Sequence, residues 1–222
     1  LSGARFTTSY TRVGGQTRDL PPTFLAMLKD FLATFPAAFA DVDKLVTRNR
    51  IFVDRCRDVG VISKEDAIAF GLSGPNLRSS GVDHDLRKKH PYLDYQNYDF
   101  DVPIGAAGDS YDRYLVRMEE IRESIKILRQ VVDKLPSGPI NCHDPKSILP
   151  EKTTVLTKME ELIHHFILHT EGIKAPAGEV YFGAENPKGE LGFYIYSKGG
   201  GTPYRLKIRS PSFINLSNLP KI

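Results

Sequence analysis

The sequence predicts an α+β chain, mainly α, with a helical bundle core and a small C-terminal antiparallel sheet. Three observations predict it. Apolar residues recur at steps of three and four from Gly108 to Leu135, the stripe of an amphipathic helix. A second stripe of the same period runs from Lys152 to Glu171. After Gly172 the period changes to two, the signature of strands. We therefore expect a helical bundle over residues 1–171, with a long ordered loop at 71–108, and a small antiparallel β region over 172–222.

Residues 1–22 read as loop, around Gly14-Gly15 and Leu20-Pro21-Pro22. A helix should follow, with Phe24, Leu25, Leu28, Phe31, Leu32 and Phe35 on one side. Pro36 should end or kink it, because proline has no N–H to donate and its ring crowds the preceding turn. A second helix is expected from Asp41 to Cys56. Ser63 should open a third, since Ser-Lys-Glu-Asp resembles a capping box. From Gly71 to Gly108 the helical period disappears. So long a loop is unusual unless it carries function, and its Tyr, Phe and Leu content argues against disorder.

The long helix follows. Asp109 is the expected N-cap and Asp112 places negative charge where the helix dipole is positive. Pro136-Ser137-Gly138-Pro139 stops it. The Lys152–Glu171 helix should pack antiparallel to it. Strands are expected at Glu179–Glu185, Leu191–Tyr196 and Tyr204–Ser210, with Lys198–Pro203 as a hairpin turn.

The chain has 222 residues and a formal net charge of +3. A charge that small is not the concentrated basic face that nucleic-acid binding needs. Its two cysteines, Cys56 and Cys142, lie far apart and form no metal-type or redox pair. Unpaired thiols in a reducing compartment are the expected state. No stretch has the apolar length that spans a bilayer.

Candidate chemistry is sparse. Glu161 and His164 have the Glu-x-x-His spacing of di-iron bundles, but no second such pair exists. Surface or interface histidines near Glu160 and Glu161 are the expected reading, so no metal ligand and no catalytic residue is assigned. No Gly-x-Ser-x-Gly elbow and no phosphate-binding glycine loop occurs. Gly199–Gly201 fits a turn. Arg205, Lys207 and Arg209 alternate along one strand face, which reads as a solvated face. Glu185, Lys188 and Glu190 flank the turn at Asn186-Pro187, where charges of both signs can surround a polar cavity.

Five stretches carry a resemblance: LSGARFTTSYTRVGGQTRDLP at 1–21, SGPNLRSSGVDHDLRKKHPY at 73–92, YDFDVPIGAAGDSYDRYLVRMEEIRESIKI at 98–127, MEELIHHF at 159–166, and GEVYFGAENPKGELGFYIYSKGGGTPYRLKIRSPSF at 178–213. In this order they resemble the D-type subunit of respiratory complex I, the 49-kilodalton-type quinone-pocket subunit of NADH-quinone oxidoreductase. That family is related to the large subunits of nickel-iron hydrogenases. The resemblance implies an internal fragment of a longer polypeptide that frames the quinone-reduction site. Electrons would pass from NADH through FMN and iron-sulfur clusters to quinone, coupled to proton translocation. The resemblance implies no cofactor bound by this chain itself. A neighbouring polypeptide's 4Fe-4S cluster would lie at the interface. The implied partners are the small iron-sulfur protein of the complex (its B-type subunit) and the C-type subunit, with the membrane arm contacted through partners. The implied location is peripheral, on the cytoplasmic side of the bacterial inner membrane or the matrix side of the mitochondrial one.

Residue by residue, Glu185, Lys188, Gly189 and Glu190 match the segment expected on the quinone-cavity wall. Arg78, Asp85 and Arg87 match the loop motif, and Asp109, Asp112, Arg113 and Arg117 match the start of the long helix. Buried ion pairs are expected there. The family's quinone-headgroup His, Tyr and Asp precede the SGAR-type motif. Asn186 stands where the family usually has Ala, and Ser110 where it usually has Cys. A hydrogenase-type large-subunit fragment and a non-enzymatic assembly module are the alternatives.

Overall fold

The computed structural model describes residues 4, 5 and 8–221. Leu1, Ser2, Gly3, Phe6 and Thr7, and with them the first half of the SGAR-type motif, lie outside the described residues, as does Ile222. The chain is mainly α with a small C-terminal antiparallel sheet, as expected. The elements are β1 (Thr11–Arg12), β2 (Gly15–Gln16), α1 (Phe24–Val46), α2 (Arg50–Cys56), α3 (Lys64–Ala69), α4 (Pro75–Ser79), α5 (Leu86–Lys89), α6 (Ser110–Lys134), α7 (Lys152–Val155), α8 (Met159–Thr170), β3 (Gly178–Asn186), β4 (Gly189–Ser197), β5 (Arg205–Arg209) and α9 (Pro211–Leu216). The C-terminal strands run in the order β3-β4-β5.

Contacts divide the chain into two compact units. One comprises Leu1–Leu28, Leu135–Val180 and Ile195–Leu206; the other comprises Lys29–Lys134, Tyr181–Tyr194 and Lys207–Ile222.

In the first unit, β1 and β2 form a hairpin with Thr11 opposite Gln16 and Arg12 opposite Gly15. Asn141 bridges to Gly15, and its Oδ1 accepts the Gln16 N–H at 2.9 Å. The helix expected over 152–171 is two helices, α7 and α8. The Thr154 and Thr157 hydroxyls donate back to the Glu151 and Thr153 carbonyls, an alternative to helix continuation that these residues favour. On α8, Leu162, Ile163 and Phe166 are exposed. Gly201 sits where any Cβ would fall 2.0 Å from the Glu171 carbonyl oxygen, so the triple glycine serves a close chain approach as well as a turn.

The second unit is built on α6. Asp109 Oδ1 accepts the Asp112 N–H at 2.7 Å, the expected cap. Val116, Met118, Ile125 and Ile127 are buried along its length. A small core of Ile62, Ala67, Leu72 and Leu77 joins α3 to α4. Ser63 caps α3 through the Asp66 N–H at 3.1 Å, also as expected.

Pro36 neither ends α1 nor marks its last turn; the helix runs ten residues further, to Val46. Phe31, Phe35 and Phe39 stack along one side with ring centroids 5.0 and 6.0 Å apart, and this packing spans the proline. The helix expected from Asp41 to Cys56 is consequently divided. Its first part belongs to α1, and Asn49 caps a separate α2 by accepting the Ile51 N–H at 3.0 Å. The 71–108 loop contains α4 and α5, each too short to show a period.

Candidate functional site

α4 and α5 place Arg78, Asp85 and Arg87 against α6 and the end of β3. Arg78 is the centre, only 1% exposed. Its Nε donates to Glu120 Oε1 at 2.9 Å, and its Nη2 donates to the same oxygen. Its Nη1 donates to Glu185 Oε1 at 2.9 Å and to the His84 carbonyl at 3.0 Å, and lies 3.6 Å from Asp85 Oδ2. Arg87 grips Asp85 with both arms of its fork, at 3.0 and 2.6 Å. Two guanidinium groups thus share three carboxylates. Charge-assisted bonds of this kind are the stronger class of protein hydrogen bond.

Burial works against the Arg78 cation, but Glu120 and Glu185 outweigh it and raise its pKa. Arg87 is raised in the same way, with Asp85 overcoming the cost of burial. Burial also opposes the Asp85 carboxylate, yet the bonds and charge of Arg87 hold it below the usual carboxylate range. Glu120 goes the other way: burial pushes it up, and Arg78 offsets only part of that.

Beside this network lies a cavity of about 550 Å³, lined by Arg78, Arg87, Arg117, Glu120, Glu185 and Lys188, with Tyr95 and Ile121 among the remaining contacts. Burial lowers the pKa of Arg117, whose guanidinium donates to the Arg113 carbonyl at 2.8 Å and to Asn76 Oδ1 at 3.2 Å. The turn carrying Lys188 is closed by Asn186, whose Oδ1 accepts the Lys188 N–H at 3.3 Å; an Ala there could not do this. Tyr92 pins the strand end, accepting the Glu185 N–H at 3.0 Å.

The remaining expected residues lie elsewhere in this unit. Gly189 packs on Ser73, and the Glu190 N–H donates to Ser73 Oγ at 3.1 Å. Glu190 also accepts from Tyr181, whose pKa is pushed up to about 12 by burial and then by that carboxylate. Arg209 is not a solvated face residue: it donates to the Glu190 carbonyl at 2.8 Å and the Gly71 carbonyl at 2.7 Å. Asp109, Asp112 and Arg113 hold backbone. Asp109 Oδ2 accepts the Asp58 N–H at 2.9 Å, and Asp112 Oδ2 accepts from Ala106 and Ala107 at 2.8 and 2.6 Å. Arg113 donates to the Gly108 and Gly60 carbonyls, both at 2.8 Å. None of the three closes a contact ion pair among the described residues. Ser110 Oγ donates to the Val59 carbonyl at 3.0 Å.

Sequence reasoning missed Glu120 and Tyr92. Arg113, Arg117, Glu120 and Ser124 recur at helical spacing, a polar stripe that could have found the first. Among the described residues no group of three or more His, Cys, Asp or Glu could hold a metal ion, and no helix is long and apolar enough to cross a membrane.

Residues 1–222 match the family described as respiratory-chain NADH dehydrogenase, 49 Kd subunit. The chain is 65% identical over 222 residues to the D-type subunit of NADH-quinone oxidoreductase from Methylacidiphilum infernorum (isolate V4), covering 100% of this chain and 53% of that protein. It is 60% identical over 223 residues to the corresponding D-type polypeptide of Opitutus terrae, covering 100% and 52%. It is 56% identical over 222 residues to that of Akkermansia muciniphila, covering 100% and 54%. The chain spans about half the length of these curated relatives.

Proposed function

We propose a function that proceeds from one premise: the chain belongs to the family of 49-kilodalton, D-type subunits of respiratory-chain NADH dehydrogenase. On that premise it forms part of the wall of the cavity in which quinone is reduced. Electrons from NADH reach quinone through FMN and iron-sulfur clusters carried by other polypeptides of the complex. The last 4Fe-4S cluster belongs to the small iron-sulfur protein, the B-type member, which with the C-type member is the neighbour of this chain. The polypeptide is peripheral, on the cytoplasmic side of the bacterial inner membrane, and meets the membrane arm through its partners. Its work is to shape the site and relay the site's state toward proton translocation.

One observation carries this reading. Glu185 and Lys188, from the segment matched to the quinone-cavity wall, line a cavity of about 550 Å³ whose wall Arg78 ties together. The inward bonds of Arg209 remove one member of the basic stripe on which the assembly-module alternative depended.

The test is Lys188→Ala in the assembled membrane-bound complex. Quinone reduction by NADH should fall about tenfold, the equivalent of about 1.4 kcal/mol of lost stabilisation. Electron transfer to an artificial acceptor that draws upstream of quinone should be unchanged. Unchanged quinone reduction would overturn the reading.

A further inference from the structure

We propose that Glu120 is the proton-exchanging group of this cavity, taking up and releasing one proton at Oε2 while Arg78 holds Oε1. The inference rests on the proposed quinone site for its biological meaning, but its structural argument stands on the network itself.

The three carboxylates around Arg78 are not equivalent. Asp85 has no exposure, and the fork of Arg87 occupies both of its oxygens. Glu185 gives Oε1 to Arg78, and its Oε2 accepts the Leu86 N–H at 3.4 Å. Glu120 receives both Arg78 bonds on Oε1. Its Oε2 accepts no hydrogen bond among the described residues. The side chain keeps 15% exposure and lies on the cavity wall, so water reaches it. Among the three, Glu120 alone combines a fixed oxygen with an open one.

Within the contact pairs alone, with all groups ionised, Asp85, Glu120 and Glu185 face Arg78 and Arg87, and a proton on Glu120 would balance them. Arg117 and Lys188 on the same cavity wall add two positive charges that favour the carboxylate. Protonation leaves Oε1 free to accept from Arg78, so the network keeps its geometry in both states. The surrounding charges divide. Arg78 and Arg87 favour the carboxylate, Glu185 opposes it, and burial opposes it more than any of these. Arg117, one turn earlier on α6, and Lys188 and Tyr95 also line this cavity. Burial therefore moves the Glu120 carboxyl upward, in the direction useful for proton exchange near neutrality.

The step balances simply. Hydronium gives a proton to Oε2 and leaves water; release reverses it. Reduction of a quinone to a quinol consumes two electrons and two protons, so a proton store on the cavity wall answers a need of the proposed site.

The experiment uses the assembled complex carrying Glu120→Gln or Glu120→Asp. The pH profile of NADH-driven quinone reduction should contain a limb of about tenfold per pH unit that E120Q lacks and E120D keeps. Infrared titration should show a carboxyl C=O band that disappears in E120Q and shifts in E120D. A profile and a band both unaltered in E120Q would overturn the proposal. Should E120Q fail to assemble, the E120D comparison decides: a shifted titrating band supports the proposal and an unshifted one overturns it. Impaired quinone reduction in K188A beside an unaltered E120Q profile and band removes this inference alone. Unimpaired K188A removes the proposed function and leaves the infrared titration to judge Glu120.

Discussion

Gly74 and Gly189 meet backbone to backbone: a Cβ on Gly74 would lie 2.4 Å from the Gly189 Cα. Gly74 also has φ +65°, where L side chains are strained. This contact sets the start of α4 against the turn that carries Lys188. Gly74→Ala should destabilise the chain by at least about 1–3 kcal/mol, the usual cost of such strain, before the clash is counted. Urea denaturation followed by circular dichroism measures it. A change under half a kcal/mol, roughly the level of a neutral surface substitution, would mean that the two backbones can separate freely.

Arg78→Ala should cost about 3–5 kcal/mol, because it leaves buried carboxylates without their partner. Arg78→Lys keeps the charge and loses the fork that reaches Glu120 and Glu185 together, so it should recover only part of the loss. Equal denaturation midpoints for Lys and the native chain would show that charge alone suffices.

Stability should depend on pH with two opposed signs. The Asp85 pKa is lowered in the folded state, so its contribution is present above the unfolded value of about 3.9 and lost as pH falls through the folded pKa. The Glu120 pKa is raised, so its contribution is present below the unfolded value of about 4.3 and lost as pH rises through the folded pKa. Denaturation midpoints measured across the acidic range should therefore lose their decline on the alkaline side in E120Q. In Asp85→Asn they should lose the decline on the acid side.

Asp112 holds two backbone amides, those of Ala106 and Ala107. Asp112→Ala should cost about 0.5–1.5 kcal/mol, the usual net worth of a hydrogen bond whose donors water can reach, and Asp112→Asn less. Hydrogen exchange at Ala106 and Ala107 reports this directly. Faster exchange in the Ala variant is expected; unaltered exchange would remove Asp112 from the role.

The large elements were legible because their signals are local. α6 repeats its stripe over 25 residues, and Ser63 announces α3 within one turn. Pro36 does not end α1, and the Phe31–Phe35–Phe39 stack that spans it is a packing effect that no local pattern announces. α4 and α5 were invisible for a different reason. Five and four residues cannot display a period, and α4 is held by distant groups such as the Gly105 N–H on the Arg78 carbonyl at 2.9 Å. In the candidate site, Arg78, Asp85 and Arg87 were found through motif resemblance. Glu120 was not, because the partner that gives it meaning is 42 residues away.

Arg78 and Glu185 are 107 residues apart in the chain. At roughly 5–20 residues per second of synthesis, Glu185 is made about 5–20 s after Arg78. Throughout that interval the guanidinium has only Asp85 and then Glu120 as acidic partners. The second unit also takes its last segment from residues 207–222, so it cannot close in order as it leaves the ribosome. Its completion waits for that segment, and the nascent chain must carry a half-satisfied charge cluster until β3 brings Glu185.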